Sequence, residues 1–546
     1  MSGSPRTGAA PSRRPRLGAR VAALCVAGAC MAHALVPAPA RASGHTAPAA
    51  RGAAPAVTIP VAVSQTARGR PLPAGFVGLA LEYRSVPSLA GGRTAATVNP
   101  VLVALVRALD PGGGTVLRIG GQSADRSWWP VPGMARPPGI TYDLTPGWVA
   151  SAAALSQALG ARLILGLGLE ADDARIDAVE ARNLIAGLGP YVEAVTIGNE
   201  PVLYSHIPWY RTLRGDPIPW YETAGRPVFA RPASYDAAQF EREWSRAAAT
   251  VPAGVPLAGP DLGTLSWLDS FERRLGPGSR VRYITVHAYP LSVCDPNPGS
   301  LAYPSVPDLL TVFAATAFLN GLGPRIALAH RYGAKFLIDE MGSISCNGRA
   351  GVSDTLASAL WLLDSLFAID AAGIDGVQLH TFSGLPNDLF DFADGPSGWR
   401  GMVRPLYYGA LMFTQAAPPG SRLLSTSSPD PATLRAWATV APDHRLRVTL
   451  IDDSLSTPVN AVVRLSRGVG AAPAALERLQ ASSAYATQGI TLGGHGFGPA
   501  TATGVLPPAL PLTVAPSAGA YRVRLAAGSA ALLTIPAPAP AHRSRR

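Results

Sequence analysis

Two glutamates in this chain stand where chemistry is usually held. Glu200 closes the run Ile197-Gly198-Asn199-Glu200-Pro201, and Glu340 closes Ile338-Asp339-Glu340-Met341. Each follows an apolar, β-prone stretch, so each carboxyl is anchored by a strand yet projects from its end. A pair of carboxyls held in this way suits the cleavage of a glycosidic bond. One must be protonated to donate to the leaving oxygen, while the other stays ionised and attacks the anomeric carbon. Environment more than residue type separates the two pKa values. Glu200, between an Asn and a Pro that stiffens the turn, is expected to be the acid/base, and Glu340 the nucleophile. With those roles the carboxyls stand about 5–5.5 Å apart and anomeric configuration is retained. A single acid at a strand end is more ordinarily a solvated or salt-bridged rim residue; it is the conjunction of two that carries the reading.

The elements that must position this pair are legible along the chain. Eight β-prone runs alternate with helical stretches: FVGLALEY (76–83), TVLRIGG (115–121), RLILGLGL (162–169), VEAVTIGNE (192–200), VPLAGPDLG (255–263), YITVHAYP (283–290), KFLIDEMGS (335–343) and GVQLHTFS (376–383). Helical periodicity fills the gaps, for example over 101–109, 148–159, 237–250, 309–319 and 356–369. The count predicts a closed (β/α)8 TIM barrel over 76–415, whose working residues gather at the C-terminal ends of the strands. Glu200 on strand four and Glu340 on strand seven then share one mouth. An open doubly wound sheet is the alternative, but the turn after the first strand, LEYRSVPS, lacks the Gly-rich phosphate signature. From 416 to 535 the helices vanish and alternating strands such as TLRAWATV, RLRVTLID and SAALLTI predict a C-terminal antiparallel β-sandwich. The early strand VTIPVAV (57–63), within 57–75, is expected to join that sandwich.

Three segments carry a likeness to a known family: LRIGGQSAD (117–125), VTIGNEP (195–201) and ATQGITLGGHGFG (486–498), followed by YRVRLAAGSAALLTI (521–535). With them the chain resembles glycoside hydrolase family 79, the β-glucuronidase and heparanase-like retaining enzymes, over nearly its whole mature length. The resemblance implies the same roles for Glu200 and Glu340, and places Asn199 on the sugar 2-hydroxyl. Tyr289, at the end of strand six, would sit beside the nucleophile and hold its carboxylate. His287 nearby is either a site residue or a buried, satisfied ring. Glu82 and Asp125 look like acceptors for remote sugar hydroxyls, with pairing to Arg118 or Arg126 as the alternative for Asp125; Gln122 joins them as a binding residue. Trp128 and Trp129 offer a stacking platform, as do Tyr204, Trp209, Tyr210, Trp220 and Tyr221 in the long 201–235 loop. The chain departs from the family after Glu340. Gly342-Ser343-Ile344-Ser345-Cys346-Asn347-Gly348 contains no Tyr, and no Arg precedes Arg349, so a uronic carboxylate would rest on backbone N–H groups and on Ser345 or Asn347. Val202 stands where an aspartate is often expected.

Composition bounds the alternatives. The 546 residues are 48% hydrophobic and 15% charged, too apolar for disorder. The formal charge of +11 includes Arg6, Arg13, Arg14, Arg16, Arg20 and Arg41; removing those six leaves +5 with no basic stripe, which argues against nucleic acid. That basic start, the apolar 21–36 stretch and small residues at Ala40 and Ala42 read as a secretory signal over 1–42. Ser12-Arg13-Arg14 hints at twin-arginine export and Cys30 at a lipoprotein. A linker over 43–56 and a tail over 536–546 bracket the two domains. The expected setting is therefore extracellular, with no membrane span in the mature chain. Cys294 and Cys346 are the mature cysteines and are expected to form a disulfide, two separate thiols being the alternative. No metal or organic cofactor is expected, because the nine histidines show no ligand spacing. Carbohydrate is the expected partner, and no pattern specifies an oligomeric state. The competing readings are the same mechanism on a glucoside, an arabinofuranoside or a cell-envelope glycan, and a catalytically silent carbohydrate-binding protein.

Overall fold

The computed structural model describes residues 55–466 and 472–536. The expected signal, most of the linker and nearly all of the tail lie outside the described residues. The first strand, β1 (Val57–Arg68), precedes eight parallel strands: β2 (Val77–Glu82), β3 (Val116–Gly120), β4 (Arg162–Leu167), β5 (Val192–Ile197), β6 (Leu257–Leu262), β7 (Val281–Ala288), β8 (Lys335–Met341) and β9 (Gly376–Thr381). Each pairs with the next, and β9 returns to β2 through Val377 opposite Val77, so the sheet closes into a barrel. All eight expected strands are present. They read as near-continuous apolar runs because a parallel barrel strand is covered by helices outside and by side chains inside.

The outer ring includes α1 (Pro100–Leu109), α2 (Pro146–Leu159), α3 (Ala174–Leu188), α4 (Ala237–Ala248), α5 (Gly323–Arg331), α6 (Leu356–Ala372) and α7 (Pro405–Ala416). Their starts follow simple capping chemistry. Asn99 accepts from the Val101 and Leu102 amides ahead of α1, and Asp236 with Gln239 forms a capping box on α4. The expected helix over 309–319 is broken into Val306–Leu309, Val312–Thr316 and a 3-10 turn Ala317–Leu319. Thr311 caps a new start there by accepting from the Ala314 amide. The longer helix of this crossover is α5, which has Pro324 in its first turn.

The barrel interior is layered. Ile164, Ala194, Ala258, Tyr283 and Leu337 form a small apolar cluster contributed by five different strands. Other interior positions are polar: Arg118, Thr196, Asp261, Thr285 and Asp339 are all buried.

Beyond the barrel come β10 (Arg422–Ser427), β11 (Leu434–Val440), β12 (Leu446–Asp452), β13 (Val459–Leu465), β14 (Ala474–Gln480), β15 (Tyr521–Leu525) and β16 (Ser529–Ile535). The hydrogen-bonded path runs β14-β16-β12-β11-β10-β1-β13-β15. The path folds over on its own core: Ile59, Val448, Val463, Leu476 and Val523 bury together, and the Tyr521 hydroxyl donates to the Ala472 carbonyl at 2.8 Å. This is the antiparallel sandwich, with one parallel pair where β1 lies beside β13. The sandwich is seated on α6. Asp364 accepts from Trp437 Nε1 at 2.6 Å and meets Arg435 Nε at 2.9 Å, and the Phe367 and Trp437 rings stack at 5.6 Å.

Candidate active site

The C-terminal ends of the barrel strands enclose one pocket, and both glutamates line it. Glu200 has a left-handed backbone, φ 48° and ψ 53°. That conformation is uncommon for a residue with a Cβ and tends to persist where surroundings over-determine it. Its amide donates to the Asp261 carbonyl at 2.9 Å, and Pro201 begins the 3-10 turn that follows. Gly198, also at positive φ, leaves room for the Tyr204 hydroxyl, which a Cβ there would approach to 2.7 Å.

Beneath the pocket lies a charge network centred on Arg118, whose side chain is 1% exposed. Its Nη1 donates to Glu340 Oε2 at 2.6 Å, and its Nη2 to Asn199 Oδ1 and Asp261 Oδ2, both at 2.9 Å. The guanidinium thus ties strands two, four, five and seven together through four side chains. With Oδ1 of Asn199 so engaged, its amide hydrogens are left for the pocket. Tyr289 donates its hydroxyl to Glu340 Oε1 at 2.8 Å, and that hydroxyl also lies 3.1 Å from His380 Nδ1. Burial opposes ionisation of Glu340, yet the charges of His287, His380 and Arg118, with the Tyr289 hydrogen bond, hold its carboxyl well below the usual range.

His287 sits behind the pocket. Its Nδ1 meets Glu200 Oε1 at 2.9 Å, and its Nε2 lies 3.4 Å from Arg118 Nη2 and 3.7 Å from Asp339 Oδ1. Burial would lower its pKa, but the Glu340 charge and the Glu200 hydrogen bond lead the effects that push it up to about 9. A protonated ring then donates to Glu200 and orients it. Asp339 is pushed far up by burial and by the neighbouring Asp261 charge, whereas Asp261 is held low against burial by Arg118 and His287. Asp261, His287 and Asp339 bring possible metal-ligand atoms within 4.8 Å of one another. Arg118 already supplies the compensating charge, so this cluster is better suited to holding a guanidinium than a metal ion.

The remaining expected residues divide clearly. Glu82, Gln122, Ser345 and Asn347 line the pocket. Glu82 accepts from the Ser123 amide at 2.8 Å and pairs with His380 Nε2 at 3.2 Å. Gly121 beside it has φ 63°, which favours glycine, and a Cβ there would come within 2.2 Å of Glu82 Oε1 and displace that carboxylate. Cys294 and Cys346 are disulfide-bonded, pinning the loop that carries Ser345 and Asn347 to the loop after β7.

Two expectations need correction. Asp125 borders the pocket, but its carboxylate accepts from the amides of Leu169, Glu170 and Asn199 and from the Tyr204 hydroxyl. Those four donors fill its acceptor sites, so it organises the loops after strands three and four. Trp128 is only 3% exposed and packs with Ile140 and Ile176 away from the pocket, its Nε1 donating to Asp143 at 2.8 Å. An apolar ring in a run of buried neighbours is core, whatever its proximity in sequence to Asp125. Tyr204 and Trp220 are buried as well. The 201–235 loop carries its own three-stranded sheet, Pro208–Leu213, Asp216–Ile218 and Arg226–Phe229.

Sequence reading passed over His380, Glu170, Asn387 and the interior acids Asp261 and Asp339. Apart from Asn387, these sit in or just after the C-terminal halves of expected strands, so position along the strand was the available signal.

No family model and no curated protein matches the sequence. Solved structures do match in fold. A 4-O-α-L-rhamnosyl-β-D-glucuronidase from Fusarium oxysporum 12S is 18% identical with a TM-score of 0.62, covering 87% of this chain and all of that one. A GH51 arabinofuranosidase from Xanthomonas axonopodis pv. citri is 13% identical with a TM-score of 0.59, covering 88% of this chain and 99% of its own. A family 44 xyloglucanase from Paenibacillus polymyxa is 12% identical at 0.55, over 88% and 100%. The barrel with its attached sandwich is thus an architecture this chain shares with glycoside hydrolases.

Proposed function

We propose that this protein is a retaining β-glycosidase of the family 79 type, releasing a terminal sugar by double displacement. The observation that carries the proposal is the shared pocket of Glu200 and Glu340 with their unlike surroundings. Glu340 is held ionised by the charges of His287, His380 and Arg118 and by the Tyr289 hydroxyl, as a nucleophile must be. Glu200 has Oε1 engaged by His287; it protonates the leaving oxygen and later deprotonates the attacking water. Asn199 presents its amide to the sugar 2-hydroxyl.

A β-linked glucuronide is the first candidate substrate. Its carboxylate would lie against the disulfide-pinned loop, where Cys346, Asn347 and Gly348 all have positive φ and where Ser345 and Asn347 add polar groups. A specific observation favours a second reading, a non-uronic glycoside: among the described residues, neither Arg nor Lys lines the pocket. The secretory-type N-terminus and the disulfide support work outside the cytoplasm.

Covalent trapping tests the mechanism. A cyclophellitol-type or fluorinated β-glycoside should label Glu340, and Glu340→Gln should abolish both label and turnover. Labelling of a different residue, or hydrolysis that survives Glu340→Gln, would overturn the proposal. Aryl glucuronide, glucoside and arabinofuranoside compared side by side decide the sugar.

A further inference from the structure

Glu170, in the loop after the third barrel strand, has no part in the mechanism above, yet it lines the pocket. It is 6% exposed, and its Oε2 is buried without a hydrogen bond. The nearest cation is Arg126, whose Nη2 stands 3.5 Å away. That guanidinium is already committed elsewhere: it donates to the Trp209 and Pro208 carbonyls of the 201–235 loop. The backbone of Glu170 is equally fixed, its amide donating to Asp125 Oδ1 at 3.2 Å and its carbonyl accepting from Arg231 Nη1 at 3.0 Å. A rigidly mounted carboxyl with an unsatisfied buried oxygen is costly unless something completes it.

We propose that Glu170 is a specificity-determining residue that hydrogen-bonds one hydroxyl of the bound sugar. The proposal rests on the glycosidase reading. Burial pushes Glu170 up to about 8 against the opposing charge of Arg126, so near neutrality the carboxyl is able both to donate to and to accept from a hydroxyl. The substrate class is therefore a glycone hydroxylated at that position, and its deoxy analogue is rejected.

The test is a series of aryl glycosides, each lacking one hydroxyl, hydrolysed by wild type, Glu170→Ala and Glu170→Gln. Rates are normalised to the fraction of Glu340 labelled by the covalent inhibitor, which corrects for any misfolded fraction. In wild type, loss of one particular hydroxyl should lower kcat/KM by about 10- to 100-fold. In Glu170→Ala that penalty should fall to about 3-fold or less, while Glu170→Gln retains most of it. Deoxy penalties that are the same in wild type and Glu170→Ala for every hydroxyl would overturn the assignment while leaving the mechanism intact. Absence of both turnover and Glu340 labelling in wild type would overturn the mechanism, and this inference with it.

Discussion

A single arginine organises the pocket floor. Arg118 is buried against Asp261, Asp339 and Glu340, and such a group is tolerable because its charge is balanced by theirs and its two terminal nitrogens donate to Glu340, Asn199 and Asp261. His287 completes the arrangement, its imidazole lying between Glu200 on one side and Arg118 and Asp339 on the other. Because the folded state raises the His287 pKa from 6.5 to about 9, the stability it contributes is fully present below pH 6.5. That contribution is lost as pH climbs through about 9. Its size is on the order of 3 kcal/mol. Urea unfolding of wild type and His287→Gln at pH 6 and pH 9.5 should show wild type losing more stability than the variant on going alkaline. Equal losses would mean that His287 is neutral in the folded protein.

At the scale of elements, the pocket rim depends on loops held from outside the strands. Asp125 clamps the loops after strands three and four, and the Cys294–Cys346 bridge clamps those after strands six and seven. The bridge spans 52 positions, which on the chain-entropy account corresponds to about 4 kcal/mol. Replacing both cysteines by serine should lower the thermal midpoint and raise KM by about 3-fold or more, with a smaller effect on kcat, since Ser345 and Asn347 line the pocket. Michaelis–Menten kinetics and calorimetry of the double variant check both parts. A large fall in kcat at constant KM would place the bridge in support of Glu340 instead.

At the scale of the whole molecule, barrel and sandwich share a packed seam. Trp437 of β11 stacks on Phe367 of α6 and donates to Asp364, which Arg435 also contacts, while the Leu356 and Ala357 amides donate to the Ala486 and Ala484 carbonyls. Such a seam is expected to couple the two units into one cooperative structure. Trp437→Ala should cost about 1–3 kcal/mol, and wild type should melt in one calorimetric transition. If Trp437→Ala splits it into two, the seam is what joins them; two transitions already present in wild type would show independent domains.

The eight strands, their order and the sandwich were readable along the chain because β-prone runs, turn residues and apolar periodicity are local signals. That Glu200 and Glu340 share one mouth of the barrel was readable for the same reason, each being the polar terminus of an apolar run. The role of Arg118 was not, because it is defined by Asp261 and Glu340, 143 and 222 positions away, and no local pattern encodes partners at that distance. The same holds for Asp125 and Trp128: composition offers a carboxylate and a ring, and only closure of the barrel decides whether each meets a sugar, a backbone amide or the core. Strand identity follows from neighbours in sequence, whereas burial and charge pairing follow from neighbours in space.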